Sequence, residues 1–221
     1  MRKDATKMNI NMPKLVHGLY AITDDYLTPA NQIREAVEQA LIGGAQLIQL
    51  RDKSHHKIYD GEIRLKLASD LLSLCKLYNK LLIINDDIEL AKQIGAHGVH
   101  LGQSDTSIKD ARSFLGNKTI IGSTCHNSLK LAQKAEQEGA DYVAFGRFFP
   151  SKTKPGAQPA PISLLTEAKR TLSIPVVAIG GITQDNALKL IQQGADAIAI
   201  VNGVFATNDI KQAAAEFQSL F

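Results

Sequence analysis

Eight short apolar runs recur along the chain at nearly even spacing, each almost free of polar positions until its last residues: GLYAIT, QLIQLR, LLIIND, GVHLGQ, TIIGST, YVAFGR, PVVAIGG and AIAIVN. Runs that are apolar throughout, rather than at every second position, suit strands buried on both faces and so predict parallel pairing. Between them lie stretches such as IREAVEQALIGG, SLKLAQKAEQEGA and DNALKLIQQGA, whose apolar positions return every three or four residues, as on one face of a helix. Four of these stretches close on the same pair just ahead of a strand: Gly44-Ala45, Gly95-Ala96, Gly139-Ala140 and Gly194-Ala195. Glycine enters the left-handed conformation that stops a helix and turns the chain back, so the repeat unit is helix, glycine stop, strand. The pattern predicts a (β/α)8 TIM barrel in one domain over residues 17–221, preceded by a flexible arm over residues 1–16. No G-x-G-x-x-G follows the first strand, which sets the barrel ahead of an open doubly wound sheet.

In such a barrel the chemistry sits in the loops at the C-terminal ends of the strands, so the polar residues closing each run are the informative ones. After the second run, Gln49, Arg51 and Lys53 share one side by period-two alternation, and two of them are cations suited to phosphate. After the third, Asp87 is explained as the cap of the following helix, whereas Asn85 and Asp86 are not. After the fourth, Ser107 and Asp110 form a variant of the capping box, which leaves Asp105 surplus. Neighbouring strands lie about 4.8 Å apart, so Asp86 and Asp105 can converge on one hard cation, and magnesium takes one or two carboxylates together with waters and substrate phosphates. After the sixth run, Ser151, Lys152, Thr153 and Lys154 stand on a loop braced by Pro150 and Pro155, a chemistry suited to covering a phosphate. After the seventh and eighth come Gly180-Gly181 and Val201-Asn202-Gly203, where missing side chains let backbone N–H groups approach an anion. Together these positions predict two phosphorylated ligands, one of them a magnesium-bound diphosphate. His100 and His126 fit structural roles as well as catalytic ones, and Cys125 beside His126 makes a poor nucleophile and base because adjacent strand residues face opposite ways.

Charge and composition narrow the classes. The 25 basic and 22 acidic residues of the 221 are interspersed, giving a net charge of +3 without the basic runs of a nucleic-acid tail. The two cysteines, Cys75 and Cys125, stand far apart, which suggests neither a zinc ribbon nor a disulfide scaffold and fits a reduced, cytoplasmic setting. The N-terminal stretch lacks the apolar core of a secretory signal, and no run reaches the length of a membrane span. Small molecules are therefore the expected partners, with neither nucleic acid nor membrane among them, and self-association into a homo-oligomer is compatible with the pattern.

The motifs YAITD, QLRDK, INDD, GVHLGQSD, PSKTKPGA and AIGGIT, in this order, resemble those of the thiamine-phosphate synthase family, also called thiamine-phosphate pyrophosphorylase, over roughly residues 17–205. The resemblance implies a magnesium-dependent transferase that condenses 4-amino-2-methyl-5-hydroxymethylpyrimidine diphosphate with 4-methyl-5-(2-phosphoethyl)thiazole, giving thiamine phosphate and pyrophosphate. By motif position it implies that Gln49, Leu50, Arg51, Asp52, Lys53 and Asn85 hold the pyrimidine diphosphate, that Asp86 and Asp105 ligate Mg2+, and that Lys154 reaches the diphosphate beside Lys152. Ser151 and Thr153 match a hydroxyl pair at the thiazole phosphate, completed by Gly181, Val201 and Asn202, and Thr124 matches a pyrimidine contact. The chain departs from the family pattern at Ser151, Thr124 and Asn202, where threonine, serine and serine are usual. The family's chemistry loses pyrophosphate first and captures the pyrimidine cation with the thiazole nitrogen, so no protein nucleophile is implied, and Arg51, Lys53 and Lys154 act as catalytic cations. A thiazole tautomerase using His126, and a non-catalytic sensor of phosphorylated ligands, are the alternatives that the same barrel allows.

Overall fold

In the computed structural model, which describes residues 15–53, 61–150 and 158–221, each apolar run holds a strand that ends within or just before the run's polar close. The strands are β1 (Gly18–Ile22), β2 (Leu47–Leu50), β3 (Leu81–Asn85), β4 (Gly98–Leu101), β5 (Ile120–Thr124), β6 (Tyr142–Phe145), β7 (Val176–Ile179) and β8 (Ala197–Ile200). They pair in parallel in sequence order, and β8 returns to β1, with Leu19 beside Ile198 and Ala21 beside Ile200, to close the barrel.

Between and after the strands run α1 (Ile33–Ile42), α2 (Gly61–Leu77), α3 (Ile88–Ile94), α4 (Ile108–Leu115), α5 (Leu129–Gln137), α6 (Ser163–Thr171), α7 (Gln184–Gln192), α8 (Asn202–Phe205) and α9 (Ile210–Gln218). None of the described helices is long and apolar enough to cross a membrane. Of the expected N-terminal arm, residues 1–14 lie outside the described residues, while Val16 is fully buried in the barrel interior.

The uninterrupted apolar character of the strands has a geometric cause. Leu19, Ala21, Ile48, Leu50, Leu82, Ile84, Val99 and Leu101 face outward into a core shared with the helices. The alternate residues Tyr20, Ile22, Leu47, Ile83, Ile120, Tyr142 and Val177 face inward and fill the barrel. Both faces of every strand are thus withdrawn from water, and side-chain alternation decides which layer each residue joins.

The four Gly-Ala stops share one mechanism. Gly44, Gly95, Gly139 and Gly194 all have positive φ, between 65° and 112°. Their N–H groups donate three residues back while the alanine N–H groups donate five back, as in Ala45 to Ala40 O and Ala96 to Ala91 O, the paired bonds of a Schellman stop. A fifth stop uses Asn79 at φ 54°, with Lys80 N–H donating to Cys75 O. Asparagine tolerates the left-handed region better than other side-chain-bearing residues, which lets it replace glycine there.

Gly122 makes a different accommodation. It pairs with Tyr142 across β5 and β6, and a Cβ on Gly122 would lie 2.0 Å from the ring carbon Cζ. The bare backbone is what admits a phenol to the barrel axis.

Candidate active site

The C-terminal mouth of the barrel opens into a cavity of about 900 Å³, lined by residues of all eight strand ends and the loops that follow. That volume is at the upper end for small-molecule sites and has room for two ligands side by side.

On the β1–β4 side, the residues that close the strands bring charge together. Thr23, fully buried after β1, accepts the Arg51 N–H at 3.0 Å and donates its hydroxyl to Gln49 O at 3.1 Å, fixing the end of β2 against β1. Alternation then sends Gln49, Arg51 and Lys53 into the cavity. The Asp24 carboxylate stands 3.5 Å from the Arg51 guanidinium, and Asp25 accepts the Lys53 backbone N–H at 2.9 Å, so the β1 loop holds the Arg51 cation and the Lys53 main chain from behind. Lys53 Nζ lies 2.9 Å from Asp86 Oδ2.

Asp86 stands in the left-handed region at φ 62°, where its N–H donates to His100 O and the Asp87 N–H donates back to Asn85 O. The chain therefore turns sharply about Asp86, a conformation uncommon for a residue with a side chain and concentrated at functional sites. Asp105 Oδ2 accepts the Gly102 N–H at 2.7 Å and lies within hydrogen-bonding reach of Asp86. Burial, and after it the adjoining Asp86 carboxyl, pushes Asp105 above the usual carboxylate range.

Two carboxylates crowded in this way fit a divalent cation, which would relieve their repulsion. Among the described residues no set of three or more His, Cys, Asp or Glu side chains forms a closed metal cage. A pair suits a cation that keeps waters and takes phosphate oxygens from its substrate, as magnesium does.

Asp87 caps α3 as expected, accepting the Leu90 N–H at 2.8 Å. Burial raises its carboxyl, but the Leu90 N–H and the Arg64 guanidinium outweigh that and hold it below the usual range. Ser107 caps α4 through the Asp110 N–H. Arg64 also reaches Asp52 at 3.5 Å, so Asp52 turns away from the cavity, and Leu50 points outward into the core beneath the helices. Neither lines the cavity, as alternation from Gln49 requires.

Across the mouth, Gly181, Val201 and Asn202 line the opposite wall together with Arg147. Gly180 and Gly181 have φ 102° and 65°, and a Cβ on Gly181 would meet Pro150 O at 2.3 Å. These glycines let the segment after β6 cross β7, with Phe148 and Phe149 N–H groups donating to Ile179 O and Gly180 O. That packing need was not evident in the sequence, where the glycines signalled anion binding alone. Ser151, Lys152, Thr153 and Lys154 lie outside the described residues.

At and beneath the cavity floor lies a hydroxyl network that the motif reading passed over. Tyr20 and Tyr142, both buried, place their hydroxyls 3.0 Å apart. Gln49 Nε2 donates to the Tyr20 hydroxyl at 2.6 Å, and His100 bridges the Tyr142 hydroxyl at 2.9 Å and the Thr124 hydroxyl at 2.8 Å. The one available signal was inward parity, since Tyr20, Gln49, His100, Thr124 and Tyr142 all fall on the barrel side of their strands. His126 lines the cavity at φ 50°, whereas Cys125 is buried among the outer core residues. Burial pushes the Cys125 thiol up to about 12, so it is a neutral packing group.

Comparison with known proteins gives a consistent result. A family model described as thiamine monophosphate synthase matches residues 19–204. A thiamine-phosphate synthase of Nitrosococcus oceani is 52% identical over 210 residues, covering 95% of this chain and 95% of that protein. Another, of Thioalkalivibrio sulfidiphilus, is 50% identical over 206 residues, covering 93% of this chain and 96% of the relative. Among solved structures, a thiamine phosphate pyrophosphorylase from Pyrococcus furiosus superposes with a TM-score of 0.84 at 34% identity, covering 95% of this chain and 96% of that one.

Proposed function

The chain belongs to the thiamine monophosphate synthase family and is a transferase of thiamine biosynthesis, and from that premise we propose how its cavity divides the work between two substrates. The pyrimidine diphosphate lies on the β1–β4 side and the thiazole phosphate on the β6–β8 side. The observation that carries this reading is the single 900 Å³ cavity with two unlike ends, paired carboxylates beside Arg51 and Lys53 at one and glycine-bearing loops at the other.

The reaction breaks the C–O bond between the pyrimidine methylene and the diphosphate, which departs with its electron pair. The thiazole nitrogen lone pair then forms the C–N bond, giving thiamine phosphate. No proton has to move at the reacting carbon, so the protein's part is to position the substrates and stabilise charge.

Arg51 and Lys53 face the charge that grows on the leaving diphosphate, Arg51 pre-set by Asp24 of the β1 loop and the Lys53 ammonium held beside Asp86. Lys154 adds a third cation there, with Lys152 beside it, and Asn85 and Gln49 orient the pyrimidine. Asp86 and Asp105 hold Mg2+, which when bound supplies further neutralisation of the diphosphate. On the far side, Ser151 and Thr153 with the backbone of Gly181, Val201 and Asn202 grip the thiazole phosphate, and Thr124 contacts the pyrimidine. Leu50 and Asp52 act from behind, Leu50 by packing and Asp52 through Arg64. The two free cysteines, both buried, support a cytoplasmic setting.

Binding of each substrate alone tests the division. Arg51→Ala should weaken the pyrimidine diphosphate by about tenfold or more, as loss of a charge-assisted contact does, and leave thiazole phosphate affinity unchanged. Equal weakening of both ligands contradicts the assignment.

A further inference from the structure

We propose that Gln49, Tyr20, Tyr142 and His100 form a one-way hydrogen-bond relay across the barrel that positions Thr124, presenting its hydroxyl as a donor to an acceptor atom of the substrate. The inference rests on the pyrimidine-side reading above and adds positioning residues to it.

The direction follows from counting protons along the chain of contacts. An amide nitrogen can only donate, so Gln49 Nε2, 2.6 Å from Tyr20 Oη, occupies that oxygen as an acceptor and leaves the Tyr20 proton to go onward. Its partner is Tyr142 Oη at 3.0 Å. Tyr142, having accepted, donates to His100 Nδ1 at 2.9 Å. An imidazole that accepts at Nδ1 carries its proton on Nε2, and Nε2 lies 2.8 Å from Thr124 Oγ1. The Thr124 oxygen is thereby an acceptor within the protein, and its own proton is left to point into the cavity that Thr124 lines.

Three further features support the relay. Burial drives both phenols well above their ordinary pKa, so each keeps the proton that the relay needs. A doubly protonated His100 would take the acceptor role of Tyr142 and strand that phenol's own proton in the barrel interior, where unpaired polar groups are costly. His100 also stacks on the Tyr142 ring, with centroids 5.5 Å apart at 24°, which fixes the imidazole plane that aims Nε2 at Thr124.

A donor at Thr124 suits a diphosphate oxygen or a ring nitrogen of the pyrimidine. A reversed relay would offer a lone pair to the same atoms and repel them.

The test reads the tautomer directly. In the full chain labelled with 15N-histidine, long-range proton–nitrogen NMR should find His100, assigned from the signals missing in His100→Asn, protonated at Nε2. Gln49→Met removes the directing amide at similar volume and should move the His100 nitrogens toward the average of the two tautomers. In turnover, Thr124→Val should lower kcat about a hundredfold, and Tyr142→Phe, which removes the donor to His100 at a residue that does not line the cavity, should lower kcat no further when combined with it, because a relay acts only through its last member. A wild-type His100 protonated at Nδ1 or at both nitrogens, nitrogen shifts unmoved by Gln49→Met, or fully additive losses in kcat would each overturn the relay. Absence of product from the wild-type chain would sink the assigned reaction and leave the nitrogen shifts to decide the relay alone.

Discussion

Asp86 and Asp105 carry the residue-scale account, because neither caps a helix and their carboxyls meet at the cavity wall. Asp87 and Ser107 cap their helices, as their sequence context predicted, which leaves Asp86 and Asp105 to converge beside Lys53. Asp86→Ala and Asp105→Ala should each lower turnover about a hundredfold, on the scale of losing an electrostatic stabiliser, and should raise the magnesium concentration for half-maximal rate. Full activity of both variants at limiting magnesium contradicts the metal assignment. Cys125 makes the opposite case. Its thiol is fully buried in the outer core, so Cys125→Ala should keep nearly all turnover while lowering stability by about 1 kcal/mol for the small void it leaves; a large loss of kcat in a folded variant would restore a catalytic role. Alternation made Gln49, Arg51 and Lys53 legible in advance. The same rule sets Leu50 and Asp52 on the other side, and the QLRDK motif drew them toward the site only because family motifs ignore parity. Tyr20 and Tyr142 were legible only as core, since the partnership of their hydroxyls depends on strands 122 positions apart in sequence meeting inside the barrel.

At the scale of elements, the glycines separate into two kinds that substitution distinguishes. Gly95 holds φ 65° with no atom within 4 Å of an added Cβ, so Gly95→Ala should cost only the left-handed backbone penalty, about 1–2 kcal/mol. Gly122 has room for no side chain at all, and Gly122→Ala must displace the Tyr142 ring, with an overpacking cost of about 1–3 kcal/mol or more. Urea unfolding measures both. Turnover should separate them further, because only Gly122→Ala disturbs the cavity floor; equal activities would mean that the Tyr142 position is unimportant to the site. The helix-stop pattern was readable because glycine is its commonest solution. The stop at Asn79 uses the same geometry and was missed because asparagine also occurs in many ordinary turns. Gly180 and Gly181 were noticed for their proximity to an anion site, while the crossing of the 147–150 segment, a contact between distant strands, could not be read from local sequence.

The whole molecule divides its labour between the two ends of the barrel. At the N-terminal ends of the strands, Arg112 pairs with Asp141, Lys169 pairs with Asp196 at 2.8 Å, and these carboxylates also accept the Ile121 and Val176 N–H groups, binding strands and helices together. His97 belongs to the same end, its Nδ1 accepting the Leu82 N–H at 3.0 Å. Burial, and then the charge of Lys76, holds His97 below its ordinary pKa. The unfolded chain therefore takes up this proton first as pH falls. Stability from His97 is complete above about pH 6.5, the unperturbed histidine value, and is lost as pH drops through the depressed folded value. Urea midpoints should fall through that window in the wild type and fall less in His97→Asn; identical slopes would remove His97 from the account. The C-terminal ends carry the chemistry, and that division was legible from the sequence because the barrel rule places function after each strand. The most direct measurement mixes the purified chain with the pyrimidine diphosphate and the thiazole phosphate, with magnesium or with excess chelator, and follows thiamine phosphate as its fluorescent thiochrome derivative. The account predicts product with magnesium and none with chelator; a folded chain that binds both substrates and forms no thiamine phosphate under either condition contradicts it.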